Sequence, residues 1–172
     1  MTASDISALF AILISVLALL FTFLNFKRER NKINQDLIFQ EKISAYKDLI
    51  SQANQTYESL YPLVTKVQEF EGTPEEWLSF FVEVRAEYSN LGYEFQKLLF
   101  KHLPILPNEI YKEMDKFCTK IIEFVTITID CNSETTMKSY NNLEKKLHKI
   151  IDCTRADLNV DKLNIVLSKR LQ

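Results

Sequence analysis

Residues 6–26 read ISALFAILISVLALLFTFLNF, twenty-one positions without a charged side chain, and residues 27–32, KRERNK, follow at once. At about 1.5 Å of rise per helical residue the run is roughly 31 Å long, close to the ~30 Å hydrocarbon thickness of a bilayer. It predicts a single-pass transmembrane helix ahead of a separate helical domain. A cleaved signal peptide would need a basic start, an apolar core of about 7–15 residues and a small-residue cleavage site. Here Met1-Thr2-Ala3-Ser4-Asp5 carries an acid and no base, and Phe23-Leu24-Asn25-Phe26 offers no A-x-A-like site. The expectation is a retained anchor.

Lys27, Arg28, Arg30 and Lys32 flank the run on its C-terminal side only. Basic residues collect on the cytoplasmic side of a first transmembrane helix, so the predicted topology is N-terminus out and C-terminal domain in the cytoplasm, at the inner (plasma) membrane. The same four residues would suit anionic lipid headgroups, each contributing about 1 kcal/mol near the surface. With Glu29 among them, the topology signal is the preferred reading.

Small and polar residues in the run keep one phase: Ser7, Ala11, Ser15, Ala18, Thr22 and Asn25 follow in steps of four or three. Such a face lets two helix backbones approach closely in lipid. Continued through Glu29, Lys32 and Asp36, the phase arrives at Phe39, where an apolar series begins. This points to a homo-oligomer assembled through that face. The alternatives are chance phasing, or a seam used within one subunit.

Beyond the anchor, two Gly and four Pro in 172 residues leave few breakers, which favours long helices over a turn-rich β or α/β fold. The expected fold class is all-α: an N-terminal single-pass transmembrane helix continuing into an antiparallel bundle of about four soluble helices. The boundaries are 1–5 for a short extracytoplasmic N-terminus, 6–26 for the transmembrane helix and 27–38 for a basic juxtamembrane helical linker. The cytosolic bundle then occupies 39–158 and a C-terminal tail 159–172. The first seam runs through Phe39, Ile43, Tyr46, Ile50, Ala53, Tyr57, Leu60, Val64 and Val67 in alternating steps of four and three. Pro62 lies inside it and predicts a kink.

Thr73-Pro74-Glu75-Glu76 has the pattern of a capping box with Pro at the first helical position. The next helix carries Trp77, Phe81, Val84, Tyr88, Leu91, Phe95 and Leu98 and should end near His102, before Pro104 and Pro107. A third helix is expected from Pro107 to about Ile129, with Ile110, Met114, Phe117, Ile121 and Phe124 on a wide apolar face. A fourth, capped by Ser133 or Thr135, carries Tyr140, Leu143, Leu147, Ile150 and Ile151. The tail reads equally as a short helix on Leu163, Val166, Leu167 and Leu171 or as a strand.

The chain offers little chemistry. Two Gly exclude a Walker A loop and a dinucleotide-binding fingerprint, and neither G-x-S-x-G nor H-E-x-x-H occurs. Cys118, Cys131 and Cys153 are spaced too widely for a zinc site and are odd in number, which fits free thiols in a reducing compartment. The Asn54-Gln55-Thr56 sequon would go unused there. Glu144, His148 and Asp152 share a helix face, which reads as a solvated face rather than a metal site. Glu69 and Glu71 form an acidic cluster with Glu75 and Glu76, half of which capping explains. Tyr61, Phe80, Tyr93 and Phe100 lie off the seams, as a second core layer or a partner groove.

No catalytic residue, cofactor or metal ligand is therefore expected. A net charge of −2 argues against nucleic acid as a partner. The expected function is non-enzymatic: a membrane-anchored bundle that binds itself or another membrane or cytosolic protein. The second reading is an oligomerising membrane effector, pore-forming or depolarising, for example in bacterial phage defence or toxicity. A residue usage rich in Lys, Ile and Asn is compatible with an AT-rich bacterial genome.

Overall fold

The computed structural model describes the backbone of residues 3–160 and the side chains of residues 15–160. Among the described residues four α-helices follow one another, α1 (Ala3–Gln68), α2 (Pro74–His102), α3 (Asn108–Ile127) and α4 (Ser133–Asp157), with 3-10 turns at Leu103–Ile105 and Thr128–Asp130. No strand occurs among the described residues. The chain divides into two compact units, Met1–Glu41 and Lys42–Gln172. The first is helical. The second, over its described residues, is a four-helix bundle.

Pairs of contacts fix the helix directions in the bundle. Lys42 meets Asp157 near the end of α4, while Tyr57 stacks on Tyr140 nearer its start, so α1 and α4 are antiparallel. His102 faces Asp48, and Lys66 sits over the Phe80 ring, which opposes α1 and α2. Trp77 near the start of α2 reaches Thr128 just past the end of α3, and Phe95 meets Phe117 edge-on, so these two are opposed as well. Glu113 near the start of α3 pairs with Lys149, and Phe124 lies against Tyr140. Each helix thus runs against its neighbours, as short connections between successive helices favour.

The closest backbone packing joins α3 to α2 and to α4. Gly92 allows part of this approach, because a Cβ there would lie 3.3 Å from Ile121 Cγ2. The core is aromatic and aliphatic, with Tyr46, Leu49, Trp77, Phe81, Phe95, Phe117 and Phe124 among its largest buried side chains. Full burial of one such side chain stabilises the fold by roughly 1.5–3 kcal/mol.

Helix ends follow local chemistry. Glu76 N–H donates to Thr73 Oγ1 at 3.3 Å and Thr73 N–H donates to Glu76 Oε2 at 2.8 Å, completing the capping box. At α4 the cap is Asn132, whose Oδ1 accepts from Thr135 N–H, rather than Ser133 or Thr135. The extended backbone of Asn132 aims its amide oxygen at the free N–H groups of the first turn. Cys131 turns the chain with φ at 49°, a left-handed conformation unusual for a residue with a side chain. Helix α1 continues through Pro62.

The buried stripe of α2 departs from a strict 3.5-residue repeat. Trp77, Phe81 and Phe95 are buried, but Val84, Tyr88, Leu91 and Leu98 are only half-buried, and Gly92 and Leu99 take the inner positions. A straight α-helix drifts by about 20° per heptad against such a repeat, which moves the core face round by one position over the length of α2. In α1, Ile50 and Tyr57 are partly buried beside Tyr46, Ala53, Leu60, Val64 and Val67. Ile43 is exposed, although Lys42 and Tyr46 on either side of it both bond to Asp157 at the end of α4. Phe39, in the first unit, is exposed too. The tail from residue 161 lies outside the described residues.

Candidate membrane-contact site

Between residues 16 and 26, Val16, Leu17, Leu19, Leu20, Phe21, Phe23, Leu24 and Phe26 are exposed at 50% to 71%. At roughly 100° per residue these side chains occupy an arc of ~220° around α1. Ser15, Ala18, Thr22 and Asn25 fill the remaining strip, and all four are exposed. Thr22 Oγ1 donates back to the Ala18 carbonyl at 2.8 Å, so its hydroxyl is satisfied within the helix. Ser7 and Ala11, which share the strip's phase in sequence, lie outside the described side chains.

Among the described residues no helix is long and apolar enough to cross a membrane. Described side chains begin at Ser15, so the apolar part of α1 within them is residues 15–26.

The helix next presents Lys27, Arg28, Glu29, Arg30, Asn31 and Lys32, all exposed. Leu24, Lys27, Arg28, Asn31, Lys32 and Gln35 line one shallow recess of about 450 Å³. Glu29 and Arg30 are not part of it. Asn31 and Gln35 carry no signal in the linear sequence. Their place on the Lys27–Lys32 side follows only from winding the segment as a helix.

Among the described residues, Asp157 and Glu113 each tie two helices of the bundle through charge. Asp157 Oδ2 accepts from Tyr46 Oη at 2.7 Å and from Lys42 Nζ at 2.9 Å. Burial alone would raise the Asp157 carboxyl, but these two donors outweigh it and its pKa is lowered. The Tyr46 hydroxyl is pushed well up, first by burial and then by its bond to the carboxylate. Glu113 is gripped by Lys116 at 2.7 Å and by Lys149 at 3.0 Å, with Lys146 at 3.7 Å. Hydrogen bonds from Lys116 and Lys149 hold its pKa down at about 2, against the opposing effect of burial.

Glu144, His148 and Asp152 are exposed, and no hydrogen bond or ion pair joins them among the described residues. No group of His, Cys, Asp or Glu there could hold a metal ion. Cys118 is buried, Cys131 and Cys153 are half-buried, and all three thiols are free. Burial pushes the Cys118 thiol up to about 12. A recess of about 610 Å³ opens between Phe70, Trp77, Leu78, Ile129 and Cys131, and burial raises that thiol as well. Neither thiol is poised as a nucleophile.

Of the off-seam aromatics, Phe80 packs against the core, whereas Tyr61, Tyr93 and Phe100 are exposed. Tyr93 and Phe100 share a helix face with the exposed Leu78 and Val82. This stripe on α2 was legible as two apolar residues four apart beside the Trp77–Phe81 seam. No protein-family model matches the chain, and no curated protein or solved structure matches it.

Proposed function

We propose that this chain is a single-pass anchor of the inner (plasma) membrane whose cytoplasmic helical bundle binds itself or another protein, without catalysis. The observation that carries the reading is the exposed ~220° apolar arc on α1. An amphipathic helix packed on a protein core needs a stripe of about 100°, so a single neighbouring surface would leave most of this arc in water. Lipid surrounds a helix on all sides and covers the whole arc. The strip of Ser15, Ala18, Thr22 and Asn25 then faces a second copy of the helix, where small side chains allow close backbone approach. The basic segment after Phe26 orients the bundle to the cytoplasmic side. Leu78, Val82, Tyr93 and Phe100 supply an apolar stripe for a protein partner.

The test is fractionation of bacteria expressing the full chain. The protein should stay in the membrane pellet through alkaline carbonate, and protease outside intact cells should leave the bundle uncut. Release by carbonate, or digestion from outside, refutes the anchor or its orientation respectively. A membrane-association reporter carrying residues 1–32 should give signal above a monomeric control and lose it with Ser15→Leu. A membrane-potential dye separates the effector reading: depolarisation that vanishes when Ser7, Ser15, Thr22 and Asn25 become Leu would replace the binding role with a pore.

A further inference from the structure

We infer that Lys27, Arg28 and Lys32 form a phosphate-binding face for anionic phospholipid, with Asn31 and Gln35 as neutral donors beside them. The inference rests on the membrane-anchor reading above and adds a lipid preference to it. The linear run 27–32 mixes four cations with one acid. Helical winding sorts them. The three cations line one recess with Asn31, Gln35 and Leu24, and both Glu29 and Arg30 are left off it. At roughly 100° per residue, Glu29 and Arg30 each project ~130° from the centre of that face. Among the described residues no ion pair or hydrogen bond to protein engages Lys27, Arg28 or Lys32, although Glu29 and Asp36 lie one turn to either side of Lys32 on the same helix.

Depth agrees with this chemistry. Lys27 to Lys32 covers roughly 7.5 Å along the helix, comparable with the ~5–8 Å of each headgroup layer outside the hydrocarbon. Leu24, on the rim of the same recess, stands about 4.5 Å further toward the apolar side, where glycerol and the first methylenes lie. An anionic lipid would meet donors through its phosphate and an apolar contact through its chains. Soluble phosphate would use only the first. Arg28 offers a planar fork of donors and the lysines offer point charges, while the amides suit glycerol or sugar hydroxyls.

The experiment uses the full-length protein in vesicles of phosphatidylcholine, with and without phosphatidylglycerol. Carbonate resistance in the neutral vesicles reads the anchor. The motion-restricted fraction of spin-labelled phosphatidylglycerol against spin-labelled phosphatidylcholine reads the headgroup face. Wild type and Arg30→Gln should both favour the anionic label several-fold, and the combined variant K27Q/R28Q/K32Q should remain carbonate-resistant yet lose the preference. Equal label fractions for wild type, or an equal loss in Arg30→Gln, overturn the face and leave the anchor standing. Preference abolished by millimolar inorganic phosphate at constant ionic strength shows a soluble-anion site and overturns the lipid assignment. Carbonate release of wild type removes anchor and face together.

Discussion

The Tyr46 hydroxyl donates to Asp157 Oδ2 at 2.7 Å, tying the second half of α1 to the last turn of α4 across 111 positions of sequence. Lys42 holds the same oxygen from the adjacent turn. Tyr46→Phe keeps the buried ring and removes one hydrogen bond to a charged group, a loss of about 1.5–3 kcal/mol. Asp157→Ala should cost more, because it leaves the buried Tyr46 hydroxyl without its acceptor. Urea unfolding of the full chain in mild detergent, followed by circular dichroism, measures both. Equal stability of Tyr46→Phe and wild type would remove this tie from the account.

Glu113 gives the bundle an acid-sensitive joint. Its folded pKa lies at about 2 against an ordinary 4.5, so its contribution is fully present above pH 4.5. That contribution fades as the pH falls from 4.5 toward 2, where the folded carboxylate finally takes its proton. Asp157, also lowered, acts with the same sign. Over that window wild type should lose stability more steeply than Glu113→Gln, which at pH 7 starts lower by on the order of 1 kcal/mol. The half-exposed ends of Lys116 and Lys149 keep the figure small. Parallel pH profiles for the two proteins would refute the assignment.

Trp77 is 1% exposed, and its Nε1 donates to the carbonyls of Thr128 and Ile129, both at 3.1 Å. It is the only tryptophan in the chain. Its fluorescence should be blue-shifted and poorly quenched by acrylamide, moving red on unfolding. Trp77→Phe removes the donor and leaves a void beside Phe70 and Phe81, a loss of roughly 2–4 kcal/mol read by circular dichroism. Ready quenching in the native protein would place this end of the bundle open.

Cys118 should resist iodoacetamide at pH 8 in the native protein and react fully in urea. Cys118 is 2% exposed and burial pushes its thiol up to about 12, so both access and thiolate fraction are small. Peptide mass spectrometry reads the site directly. Native modification at Cys118 ahead of Cys131 and Cys153 would contradict the packing of α3.

Gly92 separates tight packing from helix propensity. Ala there adds a Cβ 3.3 Å from Ile121 Cγ2 but gains about 1 kcal/mol of helix propensity, so Gly92→Ala should fall within about 1 kcal/mol of wild type. Gly92→Leu has no such room and should cost more than about 2 kcal/mol in the same urea assay. Indifference to Leu would show that α2 and α3 stand further apart.

The all-α bundle and the capping of α2 were readable because they depend on near neighbours: few breakers, a seam of fixed period, and Thr73 three residues before Glu76. The half-burial of Val84, Tyr88, Leu91 and Leu98 and the inner places of Gly92 and Leu99 were not, since they depend on helical drift accumulated over α2 and on a glycine that tolerates Ile121. Asn132 was missed as a cap because Ser133 and Thr135 are equally able caps in sequence, and backbone geometry chooses among them. The recess around Lys27 and Lys32 needed the winding of the helix, which a list of charges in order conceals. Thr56 and Thr136, wholly enclosed in the bundle, stand in phase with Ala53, Leu60, Tyr140 and Leu143, but a series read from apolar residues alone passes over a threonine.

Leu78, Val82, Tyr93 and Phe100 are large residues that the bundle's own core does not require. Left to mutation alone they would drift toward Ser, Lys or Glu, since the interior would be indifferent. Orthologous sequences that keep bulk at these four places, while varying the charges around them, would record a second molecule that has pressed there throughout the lineage.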